Sequence, residues 1–330
     1  MRNSRSEADL KQTLGPDDTE DRGESEPDPL RRRPPVQALR WVADSVGAGA
    51  EIRSVHRLTE GHWHANHVVR VRDRAGQDRD LALRRWARAN WKAQDPGFTP
   101  EREATVLELI APASIPTPRL INVDPEGTDC DVPAILTDRL PGRPPGRPEN
   151  MDSFLKQLAE GLPLIHRVDS QQAGQRLPRY ERYFDDDELG LPPTWARNRE
   201  LWNRARAIAG SDPPPGRDCL IHRDYHPGNT LWLDSRLTGI VDWTQGSWGR
   251  AAVDTAHMRW NLAVDYGVDT AETFLEYYRL VASNSEEDQG YWDVVTLLDL
   301  IPDIKPGSVP GNWDLYRLEQ YLDLVISRLS

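Results

Sequence analysis

The chain has 330 residues, with 53 Asp and Glu against 41 Lys and Arg, for a formal net charge of −12. That acidity disfavours nucleic acid and anionic membrane as partners, since both carry the same sign, and no apolar stretch reaches the roughly 18 residues of a membrane span. The two cysteines, Cys130 and Cys219, form neither a metal-binding pair nor a disulfide framework, and there is no apolar signal segment at the N-terminus; both points predict reduced thiols in a cytoplasmic protein.

Residues 1–34 are rich in Asp, Glu, Arg and Pro and almost free of large apolar side chains. Such a segment buries too little surface to offset chain entropy, and it predicts a disordered tail. From Val36 the apolar residues Val36, Leu39, Val42 and Val46 take helical spacing. Strands are expected over 52–58, 68–71 and 80–85, with a single-glycine turn around Gly61 after the first. Thr99-Pro100-Glu101 is a good helix start: a hydroxyl cap, then proline, then acid in the first turn. That helix should reach about residue 110, with strands following near 119–123 and 134–137. This predicts an α+β fold whose N-terminal lobe, residues 35–138, is a small antiparallel sheet crossed by one helix. The Pro- and Gly-rich stretch 140–148 breaks the pattern as a hinge. The second lobe, 139–330, reads as helices over 151–167, 195–209, 251–265, 270–283, 289–301 and 312–329, with short strands at 230–233 and 237–242. A sheet lobe, a hinge and a helical lobe suit a nucleotide site.

One stretch carries the chemistry. His222-Arg223-Asp224-Tyr225-His226-Pro227-Gly228-Asn229 is followed by Ile240-Val241-Asp242-Trp243. A carboxylate, an amide five residues on and a second carboxylate after an apolar run form the set that phosphoryl transfer requires. One acid holds the attacking hydroxyl, while the amide and the other acid hold metal on the phosphates. Alternation on the third strand puts Leu81 and Leu83 on one face and Arg84 on the other, with Arg85 and Lys92 as the other cations of this region. A zinc hydrolase built on His222, Asp224 and His226 is a competing reading, but it lacks a second histidine cluster and leaves Asn229 and Asp242 without a purpose.

These motifs resemble the aminoglycoside phosphotransferase family, a branch of the protein-kinase-like fold, over about residues 50–300. The resemblance implies a two-lobed small-molecule kinase that uses ATP and Mg2+ to phosphorylate a hydroxyl. It implies Asp224 as the catalytic Asp, and Asn229 and Asp242 as metal ligands. On the nucleotide side it implies Arg84 paired with the helix glutamate Glu103, backbone contacts from the Gly61 turn, and backbone contacts to adenine near Asp138 and Leu140. It also implies supporting roles for His166, His222 and Asp254. The third strand carries Arg where protein kinases carry Lys. The implied acceptor is a small molecule, best an aminoglycoside or other antibiotic; a kinase of choline, homoserine or a sugar, and a nucleotide-binding pseudokinase, are alternatives. Some of the C-terminal carboxylates, among them Asp265, Glu272, Asp293, Asp299 and Glu319, and of the aromatics Trp260, Tyr291, Trp292 and Trp313 could form its pocket, although at helical spacing most of them read as core or solvated face. The expected state is a monomer or weak homodimer.

Overall fold

The structure, a computed structural model, describes residues 28–58, 63–94, 96–184, 192–282, 289–300 and 314–329. Gly61 and Trp313, and most of the acidic tail, lie outside them. The chain divides into two compact units: residues up to Glu108 with Pro118–Leu140, and Leu109–Thr117 with Pro141 onward.

The first unit opens with helix α1 (Val36–Val46), followed by β1 (Glu51–Arg57), β2 (Ala65–Arg72), β3 (Asp78–Arg85), the short α2 (Trp91–Gln94), α3 (Pro100–Ile110), β4 (Leu120–Asp124) and β5 (Ala134–Asp138). The strands form one antiparallel sheet in the order β1-β2-β3-β5-β4. Period-2 alternation decides its faces. Val69 and Val71 on β2 and Leu81 and Leu83 on β3 all point to one side, where Leu39, Trp41 and Val42 of α1 cover them. Thr99 caps α3 as its sequence predicts, its hydroxyl accepting the Arg102 amide at 3.2 Å.

The second unit contains α4 (Met151–His166), α5 (Ser170–Arg176), α6 (Arg199–Ala209), β6 (Asp218–Ile221), β7 (Thr230–Leu233), β8 (Arg236–Ile240), β9 (Ser247–Arg250), α7 (Ala251–Tyr266), α8 (Val268–Val281), α9 (Gln289–Asp299) and α10 (Leu315–Arg328). Its central helix, α7, is buried on nearly every side, from Ala251 to Val264 apart from His257. Among the described residues, four elements escape the sequence patterns: the short helix α2, the strands β6 and β9, and helix α5. β6 and β9 pair as a two-stranded ribbon, each only four residues long, too short to show a period. Helix α5 lacks an apolar stripe and starts on the Asp169 cap, whose side chain takes the Gln171 and Gln172 amides. Helix α6 begins at Arg199 rather than 195, because Asn198 caps it by accepting the Leu201 amide.

Candidate active site

The chemistry-bearing loop hangs between the two short ribbons of the second unit. It leaves β6 at Ile221 and re-enters structure at a single 3-10 turn, Pro227–Asn229, followed at once by β7. The ring of His222 closes the loop on itself. Its Nδ1 lies 3.3 Å from the Asp224 amide and its Nε2 lies 3.0 Å from the Val241 carbonyl. An amide can only donate and a carbonyl only accept, so His222 carries its proton on Nε2. Both ring nitrogens are thereby engaged, and Arg223 has φ 71. The run 222–226 is therefore neither a strand nor a set of open metal ligands. Among the described residues no group of three or more His, Cys, Asp or Glu side chains could hold a metal ion. The zinc-hydrolase reading falls with these observations.

Asp254, fully buried in the first turn of α7, braces the loop from beneath. Its carboxylate accepts the His222 amide at 2.9 Å, the Arg223 amide at 2.6 Å and His166 Nε2 at 3.0 Å. A buried charge needs such partners, and here three hydrogen bonds supply them. Tyr225 anchors the other side, its hydroxyl donating to the Leu158 carbonyl of α4 at 2.9 Å.

Asp224 is held at both oxygens. Asn229 Nδ2 donates to Oδ2 at 2.9 Å and to the Asp224 carbonyl at 3.0 Å. Oδ1 lies 3.0 Å from His257 Nε2 and 3.8 Å from His226 Nε2. Burial works to raise the Asp224 carboxyl, but the imidazoles of His226, His257 and His222 outweigh it and hold the group well below the usual carboxylate range. Asp224 is thus ionised at neutral pH and weakly basic. His226 is also lowered, in its case by burial, and its Nδ1 accepts the Gly228 amide at 3.1 Å.

The β7–β8 ribbon sets the backbones of Asn229 and Asp242 close to one another. Thr230 pairs with Ile240 in its register, and the next amide, Val241, donates to the Asn229 carbonyl at 2.9 Å. Asp242 lies past the strand end, in the left-handed region at φ 67, ψ 63. A non-glycine residue held there is strained, and such strain clusters at functional sites. Trp243, fully buried, anchors this corner through Nε1 to the Ile240 carbonyl at 3.0 Å. The Asn229 amide nitrogen is spent on Asp224, so its oxygen is the atom left for a cation. One neutral oxygen and one carboxylate fit a hard ion such as Mg2+, which takes few protein ligands and keeps its waters.

In the first unit, Arg84 Nη1 lies 3.1 and 3.2 Å from the two Glu103 oxygens. Arg85 points to the other face and pairs with Asp131 at 2.5 Å, and Lys92 is exposed, 4.0 Å from Glu126. Of the three cations only Arg84 meets the helix glutamate. At the strand end, the Asp138 amide donates to the Arg119 carbonyl at 3.0 Å. The Asp138 side chain pairs with Arg79. Leu140 is half-buried.

Several acids of the C-terminal helices are engaged inside the protein. Asp293 and Glu272 pair with the buried Arg259. Glu319 accepts from the Arg197 amide and Trp202 Nε1, both at 2.8 Å. Asp299 accepts from the Tyr180 hydroxyl at 2.9 Å and the Tyr183 amide at 2.7 Å, and burial pushes its carboxyl up to about 6. These carboxylates tie helices and loops together rather than lining an open anionic pocket. Tyr291 and Trp292 are likewise buried. Two features lie outside the sequence reading. His257 touches Asp224, and Arg223 is clamped with its guanidinium 4.0 Å from the Tyr183 ring and 5.0 Å from that of Tyr180. The only sequence signal for His257 is its place three residues after Asp254.

Residues 60–291 match the family model described as the phosphotransferase enzyme family. No curated protein matches by sequence. Among solved structures, the chain resembles the macrolide 2'-phosphotransferase MphH from Brachybacterium faecium at 17% identity and TM-score 0.56, covering 89% of this chain and 94% of that one. It also resembles a type I macrolide 2'-phosphotransferase at 16% identity and TM-score 0.55, over 90% and 98% of the two chains. A third likeness is to a thermostable mutant of aminoglycoside phosphotransferase APH(4)-Ia, in a ternary complex with ADP and hygromycin B, at 17% identity and TM-score 0.58, over 87% and 97%. These likenesses give the fold, a kinase-like two-lobed α+β architecture.

Proposed function

The chain belongs to the phosphotransferase enzyme family, and from that premise we propose that it transfers the γ-phosphoryl group of Mg-ATP to a hydroxyl of a small molecule, an antibiotic being the acceptor class its family suggests. The observation that carries this reading is the Asp224–Asn229 pair, with Nδ2 of the amide 2.9 Å from Oδ2 of the acid. It leaves the amide oxygen for the metal, and Oδ1, which also meets His257 Nε2 at 3.0 Å, keeps a second lone pair for the acceptor hydroxyl.

Asp224 accepts a hydrogen bond from the acceptor hydroxyl and holds its oxygen in line with the γ-phosphorus. The carboxyl is a weak base, so its main contribution is position. The acceptor proton passes to Asp224 late, as the oxygen–phosphorus bond forms and the bridging oxygen leaves with ADP. Asn229 and Asp242 are the residues that would hold Mg2+, whose charge offsets that on the phosphate oxygens. Arg84, kept in place by Glu103, binds phosphate oxygens with its planar guanidinium. The Asp138 carbonyl and the backbone at Leu140 are the groups we assign to adenine. The cytoplasm, where ATP is abundant, is the compartment this reading implies.

The test is ADP release from Mg-ATP with a panel including hygromycin B, a macrolide, choline and homoserine. Wild type should turn over at least one, and Asp224→Asn should lower kcat by about 1000-fold or more, as the loss of a charged positioning group in the transition state implies. Equal turnover by the variant would end the assignment of Asp224. Phosphorylation of choline or homoserine but of no antibiotic would replace the proposed acceptor class.

A further inference from the structure

The motif supplies only one of the two groups that hold Asp224. Asn229 grips Oδ2, but the donor on Oδ1 is His257 Nε2, 3.0 Å away and 33 residues along the chain from Asp224, whereas His226 Nε2 stands off at 3.8 Å. His257 belongs to α7, one turn past Asp254. Residues three apart on a helix share a face, so one face of α7 fixes the loop backbone through Asp254 and the carboxylate through His257. A further turn on, the Trp260 ring packs edge-on against the imidazole with centroids 4.9 Å apart. The Trp260 side is nearly closed to solvent, while the His257 side chain is 19% exposed.

We infer that His257 is a positioning residue for phosphoryl transfer. By donating its Nε2 proton to Oδ1 it stops the Asp224 carboxylate from turning about χ2. A carboxylate oxygen has two lone pairs, so the lone pair of Oδ1 left over by His257 is aimed at the acceptor hydroxyl. The inference rests on the reading of Asp224 as the group that holds the acceptor. His257 itself neither takes nor gives up a proton in the reaction. Without it, Asp224 has one anchor and pivots on Asn229; misplacement by about 1 Å costs on the order of 100-fold in rate.

Two variants and one spectrum test this. His257→Leu removes the donor at similar bulk, and His257→Gln keeps an N–H donor on the same helix position. In ADP release from Mg-ATP with whichever panel acceptor wild type uses, His257→Leu should lose about 100-fold in kcat. Its KM for ATP should stay within about twofold, and His257→Gln should recover at least about tenfold of the loss. A His257→Leu enzyme with wild-type kcat overturns the inference, as does a His257→Gln enzyme no faster than the Leu variant. The spectrum needs no acceptor. In histidine labelled with 15N, the His257 Nε2 signal, identified by its absence in His257→Leu, should move when Asp224 is changed to Ala in the ligand-free chain. No movement means the pair does not exist and overturns the inference even if the Leu variant is slow. A wild-type chain inert toward every acceptor overturns the kinase reading together with this role, a result distinct from an active wild type with an unaffected variant.

Discussion

Arg223 shows how one residue is forced into place. It has φ 71, a conformation that costs a non-glycine residue about 1 kcal/mol or more. Two tyrosine rings face its guanidinium, and its Nη2 donates to the Glu181 carbonyl at 2.5 Å; a partly desolvated cation–π contact is worth about 1–2 kcal/mol. The two effects nearly cancel. Arg223→Gly should therefore leave the melting temperature within a few degrees of wild type, because the strain goes with the clamp. Arg223→Val keeps the strain, adds β-branching and loses the clamp, and should cost about 2–3 kcal/mol in urea titration. A second residue-scale prediction concerns Glu103, 5% exposed. Glu103→Gln leaves the Arg84 guanidinium near-buried without its full charge partner, so the KM for ATP should rise by about tenfold, with a smaller change in kcat.

At the scale of elements, close packing sets the position of the loop. Gly161 of α4 lies where an added Cβ would sit 2.9 Å from the Tyr225 hydroxyl, and Tyr225 is fully buried. The gain of about 1 kcal/mol from alanine's helix propensity opposes an overpacking cost of about 1–3 kcal/mol. Overpacking should win, because the tyrosine has no open space to move into. Gly161→Ala should lower both stability and kcat, the latter because Tyr225 adjoins Asp224. In the first unit the sheet buries His67 on β2, 2% exposed, and burial followed by the charge of Arg85 lowers its pKa to about 4. The unfolded chain takes up that proton near pH 6.5 and the folded chain only near 4. Stability from this group is therefore full above about pH 6.5 and falls as pH drops toward 4, by about 3 kcal/mol. Asp299 has the opposite sign over part of that range, because its raised value of about 6 makes the fold gain stability as pH falls from 6 toward 4. Melting curves of wild type and His67→Gln between pH 4.5 and 7 separate the two. The variant should melt with less acid sensitivity than wild type, and parallel curves would show that His67 does not titrate as its burial requires.

At the scale of the whole molecule, the chain is two units, each with its own core, and among the described residues no helix is long and apolar enough to cross a membrane. Ligand binding should then appear as a shift of the melting transition. A ligand at 100 times its dissociation constant adds about 2.7 kcal/mol to the folded state, which amounts to several degrees in a chain of this size. ATP with Mg2+ should raise the transition more than ATP with EDTA. Asp242→Ala should erase most of that difference while leaving the metal-independent shift. A variant that keeps the full magnesium-dependent shift would remove Asp242 from the metal site.

The sequence by itself determined the local geometry of the loop and the class of fold. The spacing of Asp224 and Asn229 closes a single turn, so their hydrogen bond follows from five consecutive steps of backbone. The apolar run before Asp242 sets a strand end wherever the helices lie. Period-2 alternation on β3 likewise sends Arg84 and Arg85 to opposite faces without reference to any partner. The resemblance of the motif pointed further, to Asp254 and His166. The partners themselves were decided by tertiary structure. Whether Arg84 meets Glu103 depends on how α3 crosses the sheet. Whether the C-terminal acids face a substrate or an arginine depends on helix packing, and Arg259, Tyr180 and Trp202 had already claimed them. His257 is the clearest case. Beyond its place three residues after Asp254, nothing along the chain distinguishes it from a core histidine, and it reaches Asp224 only because burial of α7 and the Asp254 brace fix the rotation of that helix. Sequence encodes contacts made over a turn or a strand, where covalent geometry leaves few choices; contacts made across the core are selected by packing, where one helix face must satisfy several partners at once.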